Sequence, residues 1–237
     1  MIMKLLLAIT LLLSWVPLSA QLLDSTALSQ QKKYKFLDNA LETPENVYIF
    51  DLSENKLFNL KPEIGKLTKL QKLNLGWNMF KELPVDICSC SNLQVLYIND
   101  NRLSKIPNCF KDFDNLRALN LSGNKFEEIP TEVLNYDKLK FLDLRYNNIT
   151  SIPAEISQLQ ALDNLAIGDN MIKELPPQLF ELTDLKELDL SHNELESIPL
   201  GIIKLKSLKL LNLRGNSGLK RQIKELKTSL PDTDIIF

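Results

Sequence analysis

The chain of 237 residues carries one histidine, His192, and three cysteines, Cys88, Cys90 and Cys109, so few side chains could do chemistry. His192 follows Ser191, a pair that invites a nucleophile and base reading. Adjacent residues of an extended segment point to opposite sides or splay through a turn, so a surface histidine is the plainer reading. Cys90 falls in a column of an internal repeat that elsewhere holds Leu67, Leu159, Leu182 and Leu205, and reads as a small core residue. Cys88 and Cys109 lie on the return segments of neighbouring repeats, either bridged or as separate thiols, since spacing alone does not establish disulfide geometry. No histidine or second cysteine pair stands near them for a zinc site. Gly215-Asn216-Ser217-Gly218-Leu219-Lys220 lacks the spacing of a phosphate-cradling loop. Asn120-Leu121-Ser122 and Asn148-Ile149-Thr150 match the glycosylation acceptor pattern, which has meaning only in a eukaryotic secretory pathway. No catalytic, cofactor-binding or metal-binding set is expected, and the chain reads as non-enzymatic.

What positions these residues is a period of 23. Asn55, Asn78, Asn101, Asn124, Asn147, Asn170, Asn193 and Asn216 stand in one register, and each is preceded by apolar columns such as Phe50 through Leu211 and Leu52 through Leu213. In L-x-L two apolar residues face one way and their neighbours the other, so each repeat contributes a short strand with one buried face. A strand that meets its own copy one repeat later pairs in parallel, and the remaining residues must carry the chain back, which makes a solenoid. The asparagine amide both donates and accepts, and is expected to satisfy turn backbone and to bond its stacked copies. Pro84, Pro107, Pro130, Pro153, Pro176 and Pro199 fix φ in the return segment and favour an irregular or 3₁₀ path over a long helix.

The motif LxxLxLxxN, followed by LPxxIxxL, resembles the leucine-rich repeat in its 23-residue class and is similar to exported bacterial members. The resemblance runs from Val47 to about Asn216 and implies an α/β solenoid. The expected shape is a horseshoe with about eight parallel strands on its concave face, 3₁₀ segments on its convex side and helical caps at both ends. It also implies a protein-binding scaffold.

Residues 1–20 have the charged, apolar and cleavage regions of a signal peptide, with Lys4 before LLLAITLLLSWV, so the protein is expected in the periplasm, at the cell surface or outside the cell. In residues 21–46, Ala27, Tyr34, Leu37 and Leu41 share a helical stripe that Asp24 or Ser25 can cap, giving an N-terminal helical cap. Residues 47–216 hold eight repeats, and residues 217–237 form a C-terminal cap with a helix over Leu219 to Ser229 and Ile235, Ile236 and Phe237 folded back on it. The net charge of −2 offers no field for nucleic acid. The basic run Lys204 to Lys227 reads as a solvated surface. A monomer without membrane insertion after signal removal is expected.

At about 4.8 Å per strand, eight strands give a concave face about 34 Å long. Its central column reads Asp51, Asn74, Tyr97, Asn120, Asp143, Ala166, Asp189 and Asn212. Trp77, Tyr97, Phe141, Arg145 and Tyr146 are expected to project from this side or its rim, with Asp100 and Asp143 among them for polar registration, as a patch for a protein partner of unknown identity. The competing reading of the aromatics is that they brace cross-strand neighbours. The competing reading of the chain is an envelope component holding glycan or wall polymer through rows of Asp, Asn and aromatic residues.

Overall fold

Only three residues of each repeat enter a strand, because Leu or Phe at the middle position alone faces inward while its neighbours face outward. In a computed structural model, which describes residues 22–237, these triplets stack with offsets of one repeat, so that Lys72 pairs with Val95 and Val95 with Ala118. The expected signal segment lies outside the described residues. The elements run α1 (Ser25–Ser29), β1 (Lys33–Tyr34), α2 (Leu37–Leu41), β2 (Ile49–Asp51), β3 (Lys72–Asn74), β4 (Val95–Tyr97), β5 (Ala118–Asn120), β6 (Phe141–Asp143), β7 (Asn164–Ala166), β8 (Glu187–Asp189), β9 (Leu210–Asn212), α3 (Ile223–Ser229) and β10 (Asp234–Ile236). Among the described residues the ten strands form one parallel sheet in sequence order. The eight repeat strands β2 to β9 are extended by one strand at either end.

One core runs the length of the solenoid between this sheet and the 3₁₀ segments, lined by the repeat's columns: Leu70, Leu93, Leu116 and Leu139 before the strands, Leu73, Leu96, Leu119 and Leu142 within them. The prolines sit at the N-cap of the 3₁₀ turns, Pro107 with φ −60° and Pro153 with φ −72°. The first repeat has Lys61 at that position with φ −68°, the same backbone without the ring, and its Pro62 opens the turn instead. The proline therefore stabilises a conformation that the fold already imposes.

Each inward asparagine bridges two repeats. The Asn124 amide donates to the carbonyls of Ile98, Leu121 and Ser122 at 3.0–3.2 Å, and its Oδ1 accepts from the Leu103 N–H at 3.0 Å. Asn147 and Asn170 repeat the pattern. The partners are backbone groups throughout, so the stacked amides do not bond one another as the sequence suggested. Asn55, in the first copy, is exposed; its side-chain amide donates to the Ser53 carbonyl and its backbone N–H to Asn78 Oδ1.

The ends differ from a simple helical reading. The N-terminal stripe is broken into α1 and α2 with β1 between them, so Tyr34 enters the sheet beside Phe50 rather than a helix face. Asp24 caps α1, accepting from the Ala27 N–H at 2.8 Å. At the other end Ser217–Arg221 is a 3₁₀ turn and α3 begins only at Ile223. The tail does not fold onto α3; it pairs with β9 and buries Ile235, leaving Ile236 and Phe237 exposed.

Candidate protein-binding surface

The concave face is built from the first and third residues of each strand, and the rim from the turn that follows. At the third position most copies have Asp or Asn, and the structure gives these a local task. The Oδ1 of Asp51, Asn74, Asn120, Asp143, Asp189 and Asn212 accepts the backbone N–H two residues on, an Asx turn at the strand end. Where serine stands two residues on, its hydroxyl donates to the same oxygen, as Ser191 does to Asp189 at 2.6 Å. This uses the hydroxyl of the Ser191–His192 pair. The central column that the sequence offered as open polar surface thus serves in large part to end strands.

The next column, one residue before the asparagine, lies in the left-handed region: Glu54, Trp77, Asp100, Tyr146, Asp169 and His192 have φ between 50° and 61°, and Gly123 and Gly215 have φ 64° and 82°. Glycine, asparagine and aspartate tolerate this backbone best, and a bulky aromatic there is an outlier. Trp77 and Tyr146 nonetheless occupy it with 61% and 59% of their surface exposed, so neither gains burial in exchange. They lie three repeats apart, about 14 Å at sheet spacing.

Tyr97, in the repeat after that of Trp77, and Phe141, in the repeat of Tyr146, are half-buried on the concave face, Tyr97 with the Lys72 ammonium 5.6 Å from its ring centre. Asp100, on the rim, accepts from Asn99 at 2.7 Å. Asp143 departs from expectation: it is 1% exposed and its carboxylate takes a two-pronged pair from Arg145, Nη2 to Oδ2 at 2.7 Å and Nε to Oδ1 at 3.0 Å. That hydrogen bond holds the guanidinium above its ordinary pKa. Asp143 is therefore a support for Arg145, which remains part-exposed, and not itself a surface contact.

Elsewhere, Cys88 and Cys109 form a disulfide across neighbouring repeats, with Cα atoms 5.9 Å apart. Cys90 is buried, its thiol pushed up to about 12 by burial, which makes it inert. It shares its column with Tyr136, whose hydroxyl donates to Phe110 O at 2.6 Å as Cys90 Sγ does to Ile64 O at 3.5 Å. Among the described residues no acid, histidine and cysteine cluster could hold a metal, and no helix is long and apolar enough to cross a membrane.

The leucine-rich repeat region model matches residues 109–230, and a second leucine rich repeat model matches residues 80–126. No curated protein matches the sequence. Among solved structures, a leucine-rich repeat protein of Leptospira interrogans is 35% identical with a TM-score of 0.71, over 87% of this chain and 58% of that one. An internalin of Listeria monocytogenes, 22% identical over 85% of this chain and 57% of its own, shares the fold with a TM-score of 0.70. The ectodomain of the Arabidopsis thaliana membrane receptor kinase GASSHO1/SCHENGEN3, solved in complex with CASPARIAN STRIP INTEGRITY FACTOR 2, is 29% identical over 78% of this chain and 26% of its own, with a TM-score of 0.60. The chain thus spans less than two thirds of the length of each.

Proposed function

The chain belongs to the leucine-rich repeat family, and from that membership we propose that it is an exported, non-enzymatic recognition module that binds a protein partner on its concave face and rim. The observation that carries this reading is the placing of Trp77 and Tyr146, large, exposed and held in a backbone conformation that favours glycine. Local structure has no use for an aromatic there, whereas interface energy concentrates in such side chains. Tyr97, Phe141, Asp100 and Arg145 extend the patch between them, with Asp143 fixing Arg145. The similar Arabidopsis ectodomain, in complex with CASPARIAN STRIP INTEGRITY FACTOR 2, supports a recognition role for this scaffold. Rows of Asp and Asn occupied with Asx turns remove the main attraction of a glycan or wall-polymer reading.

In this reading residues 1–20 direct export, residues 21–46 and 217–237 cap the solenoid of residues 47–216, and the working form is a monomer with no role for nucleic acid. A disulfide joining two repeats suits an oxidising compartment. The test is capture of the partner from the native envelope by crosslinking, with parent protein and with Trp77→Ala combined with Tyr146→Ala. Loss of capture at an unchanged melting temperature is the expected result. Capture that persists in the folded double variant would move the site elsewhere.

A further inference from the structure

The N-terminal segment does more than cover an end: it lies over the concave side of the first repeats. Leu23 donates its N–H to Gln71 Oε1 at 2.9 Å and accepts from Gln94 Nε2 at 2.8 Å, which ties the approach to α1 to the edges of β3 and β4. Between this segment and the sheet is a pocket of about 740 Å³. That is within the roughly 300–1,000 Å³ range of sites that hold drug-sized molecules.

Its walls combine apolar and charged side chains. Leu28 forms part of the roof, Ile49 and Val95 part of the floor, and Tyr97 presents its ring beside them. Lys72 from β3 stands between Ile49 and Val95 in the same row, Arg117 comes just before β5, and neither is in an ion pair among the described residues. The other charges are accounted for. Asp51 is paired with Lys33; burial raises its pKa, but the hydrogen bonds from Lys33 and Ser53 outweigh that and hold it below the usual carboxylate value. Asp24 faces the pocket while capping α1. Lys33, Lys72 and Arg117 against Asp24 and Asp51 leave a single positive charge, suited to a monoanion rather than to a phosphate dianion.

We propose that this pocket binds a small amphiphilic monocarboxylate. Its acid group is received by Arg117 and Lys72, since a guanidinium fork matches a carboxylate, and its apolar body lies under Leu28 against Ile49 and Val95, which stand on either side of the Lys72 stem. The site is independent of the protein-binding patch, although Tyr97 borders both. The test is calorimetric titration of the full chain with decanoate and, in parallel, with decanol, each below its aggregation limit. The expected result is saturable one-to-one binding of decanoate, at least tenfold weaker binding of decanol, and at least a tenfold loss for decanoate in Lys72→Gln combined with Arg117→Gln. Val95→Trp, which fills the floor, should also abolish binding, whereas Trp77→Ala with Tyr146→Ala should not change it. Equal affinity for the acid and the alcohol, non-saturable uptake, or full affinity in Val95→Trp would each overturn the proposal.

Discussion

At the scale of single residues, the repeat asks different things of positions that look alike in the sequence. Asn124 spends its whole amide on backbone groups of its own and the neighbouring repeat, so Asn124→Ala should cost about 1–3 kcal/mol and Asn124→Leu no less, read from denaturant melts. Among the described residues Asn55 has only Ser53 as a partner for its side-chain amide, and it stands exposed, so Asn55→Ala should shift the same curve little. Trp77 makes the opposite case. A left-handed backbone costs a residue with a side chain on the order of 1–2 kcal/mol, which glycine avoids. Trp77→Gly should therefore melt no lower than the parent while impairing capture; a clear drop in melting temperature would show that the ring braces the sheet. Asp51 supplies a pH signature. Its folded pKa lies below the ordinary 3.8, so its pairing stabilises the fold above that value and the contribution is lost as pH falls through the lowered one. Asp51→Asn should thus lower stability at neutral pH and flatten its decline below about pH 4.

Among elements, those that follow the period were legible, and of those that depart from it the Asp24 cap of α1 and a helix ending at Ser229 were legible while β1 and β10 were not. The three-residue strands, the buried columns and the 3₁₀ returns all repeat every 23 residues, and eight copies of one pattern outweigh any weak local signal. β1 and β10 are two and three residues long and each occurs once, so only the sheet edge they meet makes them strands. The left-handed column could have been suspected from Gly123 and Gly215, but Trp77 and Tyr146 in the same register pointed the other way. Asp143 looked like surface because its neighbours alternate, and only the folded Arg145 fork explains its burial. The bridge between Cys88 and Cys109 was one of two open readings until the return segments were placed 5.9 Å apart. It closes a loop of 21 residues, for which chain entropy gives about 3 kcal/mol of stabilisation. Cys88→Ser with Cys109→Ser should lower the unfolding free energy by up to that amount and leave the Cys90 thiol unreactive in the folded protein. Thiol labelling of that variant before and after denaturation checks both.

For the molecule as a whole, stability is a sum over neighbours, because each repeat buries its apolar face only against the next. The two ends are then the places where the sum can fail. At the start, Tyr34 and Ala40 are buried on the first repeat. At the finish, Leu219, Leu226 and Ile235 close the last one while β10 takes up the outer hydrogen bonds of β9. Deleting residues 22–46 would uncover Phe50 and Leu52 in β2 and its following turn and remove the roof from the concave pocket; deleting residues 217–237 would uncover Leu211 and Leu213. An exposed strand edge with a continuous apolar face behind it is a template for other chains. Each truncation should therefore yield aggregates in size-exclusion chromatography and light scattering, not a shorter monomer. The sequence between the caps is unchanged in both, so recovery of monomers that melt cooperatively would show that the repeats carry their ends unaided. Replacing only Tyr34 by Asp gives a graded version of the same experiment. It keeps the chain whole, puts a charge into the first interface, and should lower the melting temperature before it promotes aggregation.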